Sequence, residues 1–234
     1  MMKNILRLIP AVSLLTIFLA SCNTDNTGGT PLAAFMLVHA SPDAPDFDVY
    51  AGNQLIDTSR TYGTNTVYYG AMPNIYNFQF VESGTSNVVL NDFINFDGGK
   101  AYSIFVIDSL SKIKLAITND EYTIPTGDSV RLRFLHFSPN AGSLDIVTNG
   151  GEDTLYLTRN FNDQAIASSL DDFITLPSGT YTLDLRDAGT TNIVYSLPST
   201  TLAAGNVYTF YAKGFRGSGV AATDLSISTI KNNP

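Results

Sequence analysis

The residues best suited to chemistry here are two histidines, one cysteine and a small set of loop carboxylates in a 234-residue chain that has no tryptophan. Both histidines stand in the same phrase. Residues 37–50 read LVHASPDAPDFDVY and residues 134–147 read FLHFSPNAGSLDIV, at a constant offset of 97. His39, Ser41, Pro42, Asp43 and Asp48 are matched by His136, Ser138, Pro139, Asn140 and Asp145. Imidazole, hydroxyl and carboxylate together are the ingredients of an activated nucleophile. Asp43, Asp46 and Asp48 could also offer oxygen ligands to a calcium-like cation within one loop and strand. Repetition argues against a single active site, however. The cation reading lacks the fixed Gly and terminal Glu of an ordered calcium loop, and the second phrase keeps only Asn140 and Asp145. No metal and no cofactor is therefore assigned. The expected role is structural. Pro fixes φ in the turn, and Ser and Asp side chains accept nearby backbone amides. His136 shares the parity of Leu132 and Phe134, so it should point inward and pin its loop.

Other catalytic signatures are missing from the sequence: there is no His-Glu-x-x-His, Walker loop, Gly-x-Ser-x-Gly or cysteine pair. The carboxylate runs Asp120-Glu121 and Asp171-Asp172 could supply the two acids of a glycosidase, which must lie about 5 Å apart to retain configuration. Adjacent acids at turns are expected to be solvated, and the chain is read as not an enzyme. Lys plus Arg number 13 against 21 Asp plus Glu, a formal charge of -8 that excludes phosphate-neutralising binding to nucleic acid. Tyr62, Tyr68, Tyr69 and Tyr76 crowd one hairpin, either as strand filling or as a surface for sugars or protein.

The cysteine has a different setting. Lys3 and Arg7 precede an apolar run from Leu8 to Ala20, the layout of a secretory signal peptide and too short to span a bilayer. The run ends Leu19-Ala20-Ser21-Cys22, which resembles the bacterial lipobox. The resemblance implies cleavage between Ser21 and Cys22 and acylation of Cys22, leaving the chain held to the membrane by two or three acyl chains. Loss of residues 1–21 removes Lys3 and Arg7 and moves the charge from -8 to -10. Residues 22–32 read as a flexible polar tether.

The elements that must position these groups are β-strands. Landmarks beyond the phrase recur in order: Met72-Pro73 to Tyr76 with Leu176-Pro177 to Tyr181, Gly84 to Val89 with Gly189 to Val194, and Gly99 to Tyr102 with Gly205 to Tyr208. The chain is thus read as a tandem duplication joined between Asn119 and Asp128, with most of the second copy's extra length between Val147 and Ser169, around residues 149–153. Segments 130–136, 181–186, 102–107 and 207–211 alternate or are rich in β-branched and aromatic residues, and turn signals recur every 8–12 residues. The expected fold is all-β: two tandem immunoglobulin-like antiparallel β-sandwich domains, residues 33–122 and 128–234, with a small barrel as the alternative.

The phrase His39 to Pro45, followed by Phe47-Asp48-Val49-Tyr50, resembles the signature of a bacterial domain-of-unknown-function family numbered 4397. The Pro177 to Tyr181 and Ala188 to Val194 elements resemble that family too, and coverage runs from about Phe35 to Gly214 in two copies. The first copy lacks a Gly after Pro73, and the second departs at Phe137, Asn140 and Gly142. The resemblance implies secreted or envelope-anchored sandwich domains and no known activity. The functional expectation is a protein of the bacterial cell envelope, anchored in the outer membrane through acylated Cys22. It would face either the periplasm or the cell surface and bind an envelope protein or glycan without catalysis. A purely structural module and a carboxylate-based glycan hydrolase are the alternatives.

Overall fold

The computed structural model describes residues 29–120, 123–148, 150–151 and 153–233. The segment read as a signal peptide, with Ser21 and Cys22, and most of the expected tether lie outside the described residues. In the first unit the strands are β1 (Ala33–His39), β2 (Phe47–Ala51), β3 (Gln54–Arg60), β4 (Tyr69–Ala71), β5 (Asn74–Glu82), β6 (Val88–Phe96), β7 (Ala101–Ile107) and β8 (Lys114–Asp120). In the second they are β9 (Ser129–His136), β10 (Leu144–Thr148), β11 (Asp153–Arg159), β12 (Ile174–Pro177), β13 (Gly179–Asp187), β14 (Ile193–Leu202), β15 (Val207–Lys213) and β16 (Ser226–Lys231). Helical structure among the described residues is confined to three short 3-10 turns, and no helix there is long and apolar enough to cross a membrane.

Each unit is a sandwich of two four-stranded sheets. The orders β4-β1-β7-β8 and β3-β2-β5-β6 in the first recur as β12-β9-β15-β16 and β11-β10-β13-β14 in the second. Pairing is antiparallel apart from one parallel pair per unit, β1 with β7 and β9 with β15. Alternation fills the two inner faces: Phe35, Leu37, Phe47, Val49, Phe78, Phe80, Ile94 and Phe96 form the first core. Leu132, Phe134, Leu144, Ile146, Leu183, Leu185 and Phe210 form the second.

A third core joins the units. Met36, Val38 and Ala40 of the β1 segment, with Phe105 and Ile107 of β7, pack against Leu135, Phe137, Tyr211 and Ile230 of the second unit. Strand β1 is therefore buried on both faces, which explains its uninterrupted apolar reading. The molecule is a stack of four sheets with the two central ones in contact.

The second unit's extra length falls largely within the expected span but is centred later than residues 149–153. The β10–β11 hairpin is only slightly enlarged relative to β2–β3, whereas the link from β11 to β12, residues 160–173, outgrows its counterpart at 61–68. That longer link carries 3-10 turns at Asp163–Ala165 and Ser168–Asp171. It is held by Arg159, whose guanidinium donates to both carboxylate oxygens of Asp163 at 2.8 and 2.7 Å and to Leu170 O at 2.8 Å.

Candidate functional site

The two signature phrases occupy equivalent corners, where β1 and β9 leave the inner sheets. His39 and His136 are fully buried. Each ring spans its own loop: Nε2 donates to Pro45 O at 3.0 Å in the first and to Gly142 O at 2.8 Å in the second. Facing a carbonyl, Nε2 must carry the proton, which leaves Nδ1 as the acceptor. Nδ1 of His136 receives Ser138 N–H at 3.2 Å, while Nδ1 of His39 is buried with no hydrogen-bond partner among the described residues. Phe47 stacks on the His39 ring at 4.4 Å. Burial pushes both imidazoles down to about 4, so both are neutral at pH 7.

The serines do not make the local turn bonds expected of them. Ser41 Oγ donates to Asp108 O and Ser138 Oγ to Gly214 O, both at 2.6 Å, reaching the ends of β7 and β15. Both acceptor residues have positive φ, 73° at Asp108 and 87° at Gly214. At Gly214 a Cβ would sit 2.2 Å from Asp224 O, so only glycine fits. Asp43 Oδ1 accepts Leu110 N–H at 2.7 Å, and Asn140 brackets the Arg216 backbone, accepting its N–H at 2.7 Å and donating to its carbonyl at 3.2 Å. Neighbouring strand ends are thus latched twice by each phrase.

Asp48 and Asp145 lie on the side of their strands away from the core, Asp145 buried there, and hold the next hairpin rather than their own loop. Asp48 Oδ1 accepts Ser59 N–H and Ser83 O–H, both at 2.9 Å. Asp145 accepts Thr158 N–H at 2.7 Å and Gly189 N–H at 2.8 Å. Ser59 and Thr158 are non-glycine residues at φ 49° and 51°, in the irregular β2–β3 and β10–β11 pairings. Those donors hold the Asp48 carboxyl below the usual range. The three aspartates proposed as cation ligands are not brought together: Asp43 turns to the β7–β8 link and Asp48 to the β3 bulge. No group of three or more His, Cys, Asp or Glu that could hold a metal occurs among the described residues.

Three features were missed in the sequence. Arg60 and Arg159 are equivalent residues closing β3 and β11, each paired through two bonds with an aspartate, Asp57 or Asp163. Their signal was an Arg shortly after each signature Asp, blurred by the altered hairpin. The second feature is an ionic cluster between the units. Asp120 and Asp171, read as solvated turn acids, are instead joined by Arg133, which pairs with Asp120 and lies 2.8 Å from Asp171 Oδ1. The Arg133 and Asp120 side chains are fully enclosed. Burial drives the Asp171 carboxyl up to about 6, against the pull of Arg133. Tyr68 O–H and Ser103 O–H also donate to Asp120, at 2.6 and 2.7 Å. Asn232 donates to Tyr68 Oη at 3.0 Å. Two carboxylates are near one another, but the enclosed Asp120 cannot meet a substrate.

The third feature is a cleft of about 490 Å³ at the open side of the first sandwich, between β3 and β4. Its floor is Phe35, Phe78 and Phe96, its walls include Tyr69 and Tyr76, and Leu32, Leu55 and Met72 stand at its rim. No charged side chain lines it among the described residues. Small residues make the space: Ala51 and Ala71 correspond by register to Thr148 and Leu176 of the second unit. There Leu176 and Tyr156 pack on the core instead, with Tyr156 O–H donating to Leu132 O at 2.8 Å. The crowded tyrosines therefore divide. Tyr68 and Tyr62 belong to the junction, Tyr62 beneath the Lys213 ammonium at 4.3 Å, while Tyr69 and Tyr76 belong to the cleft.

Fold and site together define a paired β-sandwich protein whose loops are latched by buried side chains and whose first unit keeps an open apolar cleft. Residues 33–147 match the model of a family described as a domain of unknown function, DUF4397; the match covers the first unit and runs through β9 to Val147 in β10. No curated protein matches the chain.

Proposed function

We propose that this protein is a lipid-anchored, non-catalytic binding module of the bacterial cell envelope, with Cys22 as the acylated residue and the outer membrane as its seat. In this reading residues 1–21 are removed, 22–32 form the tether, and 33–122 and 128–234 are two copies of one domain family. The His-Ser-Pro-Asp phrases are scaffold, because each His, Ser and Asp or Asn side chain is already bonded to the protein's own backbone, with His39 Nδ1 left over. The observation that carries the binding role is the cleft. An apolar cavity of about 490 Å³ is left open in one unit, while the equivalent region of the other is packed with Leu176 and Tyr156. Its size falls within the roughly 300–1,000 Å³ usual for ligand sites. Of the partner classes considered from the sequence, glycan fits this cleft less well, since Gln54 and two tyrosyl hydroxyls are its main polar side-chain groups. It suits an apolar group presented by another envelope component.

Two measurements test the proposal. Mass spectrometry of the mature N-terminus should find acylated Cys22; an unmodified chain starting elsewhere would refute the anchor. A photoreactive benzoylphenylalanine replacing Met72 should crosslink a partner in intact envelopes, and the absence of any adduct would refute binding at the cleft.

A further inference from the structure

We infer that the cleft of the first unit takes a fatty-acyl chain from a lipid of the membrane on which the protein is anchored. The inference rests on the reading of the cleft as a binding site and names its ligand. The lining is uncharged, and its floor is three stacked or edge-packed phenylalanines, with Phe35 lying 5.0 Å from Phe96 and 5.6 Å from Phe78. Such a surface offers dispersion and apolar burial, and no cation or anion to fix a headgroup or a peptide terminus. A chain of methylenes is the ligand that needs nothing more.

The length of chain before the fold identifies the source. Leu32, on the cleft rim, is ten residues from Cys22. Fully extended, that stretch spans at most about 35 Å. With Cys22 in the bilayer, the cleft cannot be farther from the lipid surface than this tether allows. Pro31 is packed against the backbone of Gly98 and Gly99, so the tether leaves from the cleft's own end of the sandwich. Bilayer lipid is then the most concentrated apolar solute within reach.

The first test uses the chain from residue 22 onward with Cys22→Ser, which keeps every described residue, titrated with the fluorescent fatty acid cis-parinaric acid. Saturable one-to-one binding is expected. Ala71→Leu and Ala51→Thr, which install the second unit's residues at positions packed on the core, should each weaken it at least tenfold. Ile166→Ser, at an exposed position of the second unit, should change nothing. No saturable binding, or binding indifferent to both cleft variants in a chain with native circular dichroism, overturns the inference.

The second test places the acylated protein in phosphatidylethanolamine–phosphatidylglycerol vesicles containing a phospholipid with a photoactivatable acyl chain. Label on peptides carrying Leu55 or Met72, lost in Ala71→Leu, supports a bilayer source. A cleft that takes the free fatty acid but never the vesicle lipid overturns it, as does occupation by the chain on Cys22 itself. If Met72 crosslinks a protein while the fatty acid fails to bind, the binding role stands and the acyl assignment falls.

Discussion

At the scale of single residues, the buried imidazoles make the molecule sensitive to acid. Each histidine is pushed from 6.5 to about 4 by burial. The folded state therefore resists protons that the unfolded chain accepts. The stability each contributes is complete above pH 6.5 and is lost as pH falls through about 4, about 3 kcal/mol per histidine. Asp171 works in the opposite sense. Its carboxyl is raised from 3.8 to about 6, so its contribution is complete below 3.8 and is lost as pH rises through about 6. Two histidines outweigh one aspartate, and the urea midpoint should be lower at pH 4.5 than at pH 7. In the His39→Gln, His136→Gln double variant that drop should shrink or reverse; an unchanged drop would show that the histidines do not set it. Asp145 allows a test without titration. Asp145→Ala strips a charged acceptor from the Thr158 and Gly189 amides and should cost about 2–3 kcal/mol in urea unfolding. Thr158→Gly, which relieves a left-handed residue, should be neutral or stabilising.

Between elements, the decisive contact is Arg133 in β9, which reaches Asp120 in β8 and Asp171 beyond β11. Arg133→Met would leave the enclosed Asp120 and the partly buried Asp171 without their cation, a loss of about 3–5 kcal/mol expected in equilibrium unfolding. Little of this could be read from the sequence. The strands were legible, because Val130 to His136 and Tyr181 to Arg186 alternate cleanly and the turn residues recur between them. The inward parity of His136 was legible for the same reason. Arg133 is on the other face of that same strand, and alternation alone makes that face look solvent-exposed. It is buried because the first unit packs against that face. Ser41 and Ser138 were read as local turn formers, since their true partners are separated from them by a whole sandwich in sequence. The cleft left no periodic trace at all: it arises from Ala51 and Ala71 being smaller than Thr148 and Leu176, a difference visible only once register aligns the units.

For the whole molecule, the junction determines whether the chain behaves as two domains or one. Sandwiches of this size commonly fold independently when joined by a linker and a modest polar interface. Here Met36, Val38, Phe105 and Ile107 of the first unit and Leu135, Phe137 and Tyr211 of the second are buried against each other, none more than 2% exposed. The Arg133–Asp120 pair and the Asn232–Tyr68 bond cross the same plane. Separating the units would bare four large apolar side chains on the first alone, at about 1.5–3 kcal/mol each, and would strand Asp120 without Arg133. Against a net stability of about 5–15 kcal/mol for a typical protein, that loss is large enough to couple the two unfolding equilibria. Calorimetry of residues 29–234 should therefore show one transition whose calorimetric and van't Hoff enthalpies agree. Residues 29–122 expressed alone should aggregate or bind a hydrophobic dye, and Phe105→Asp in the intact chain should split or broaden the transition. Two well-separated transitions in the unaltered chain would mean that the central sheets adhere without cooperating.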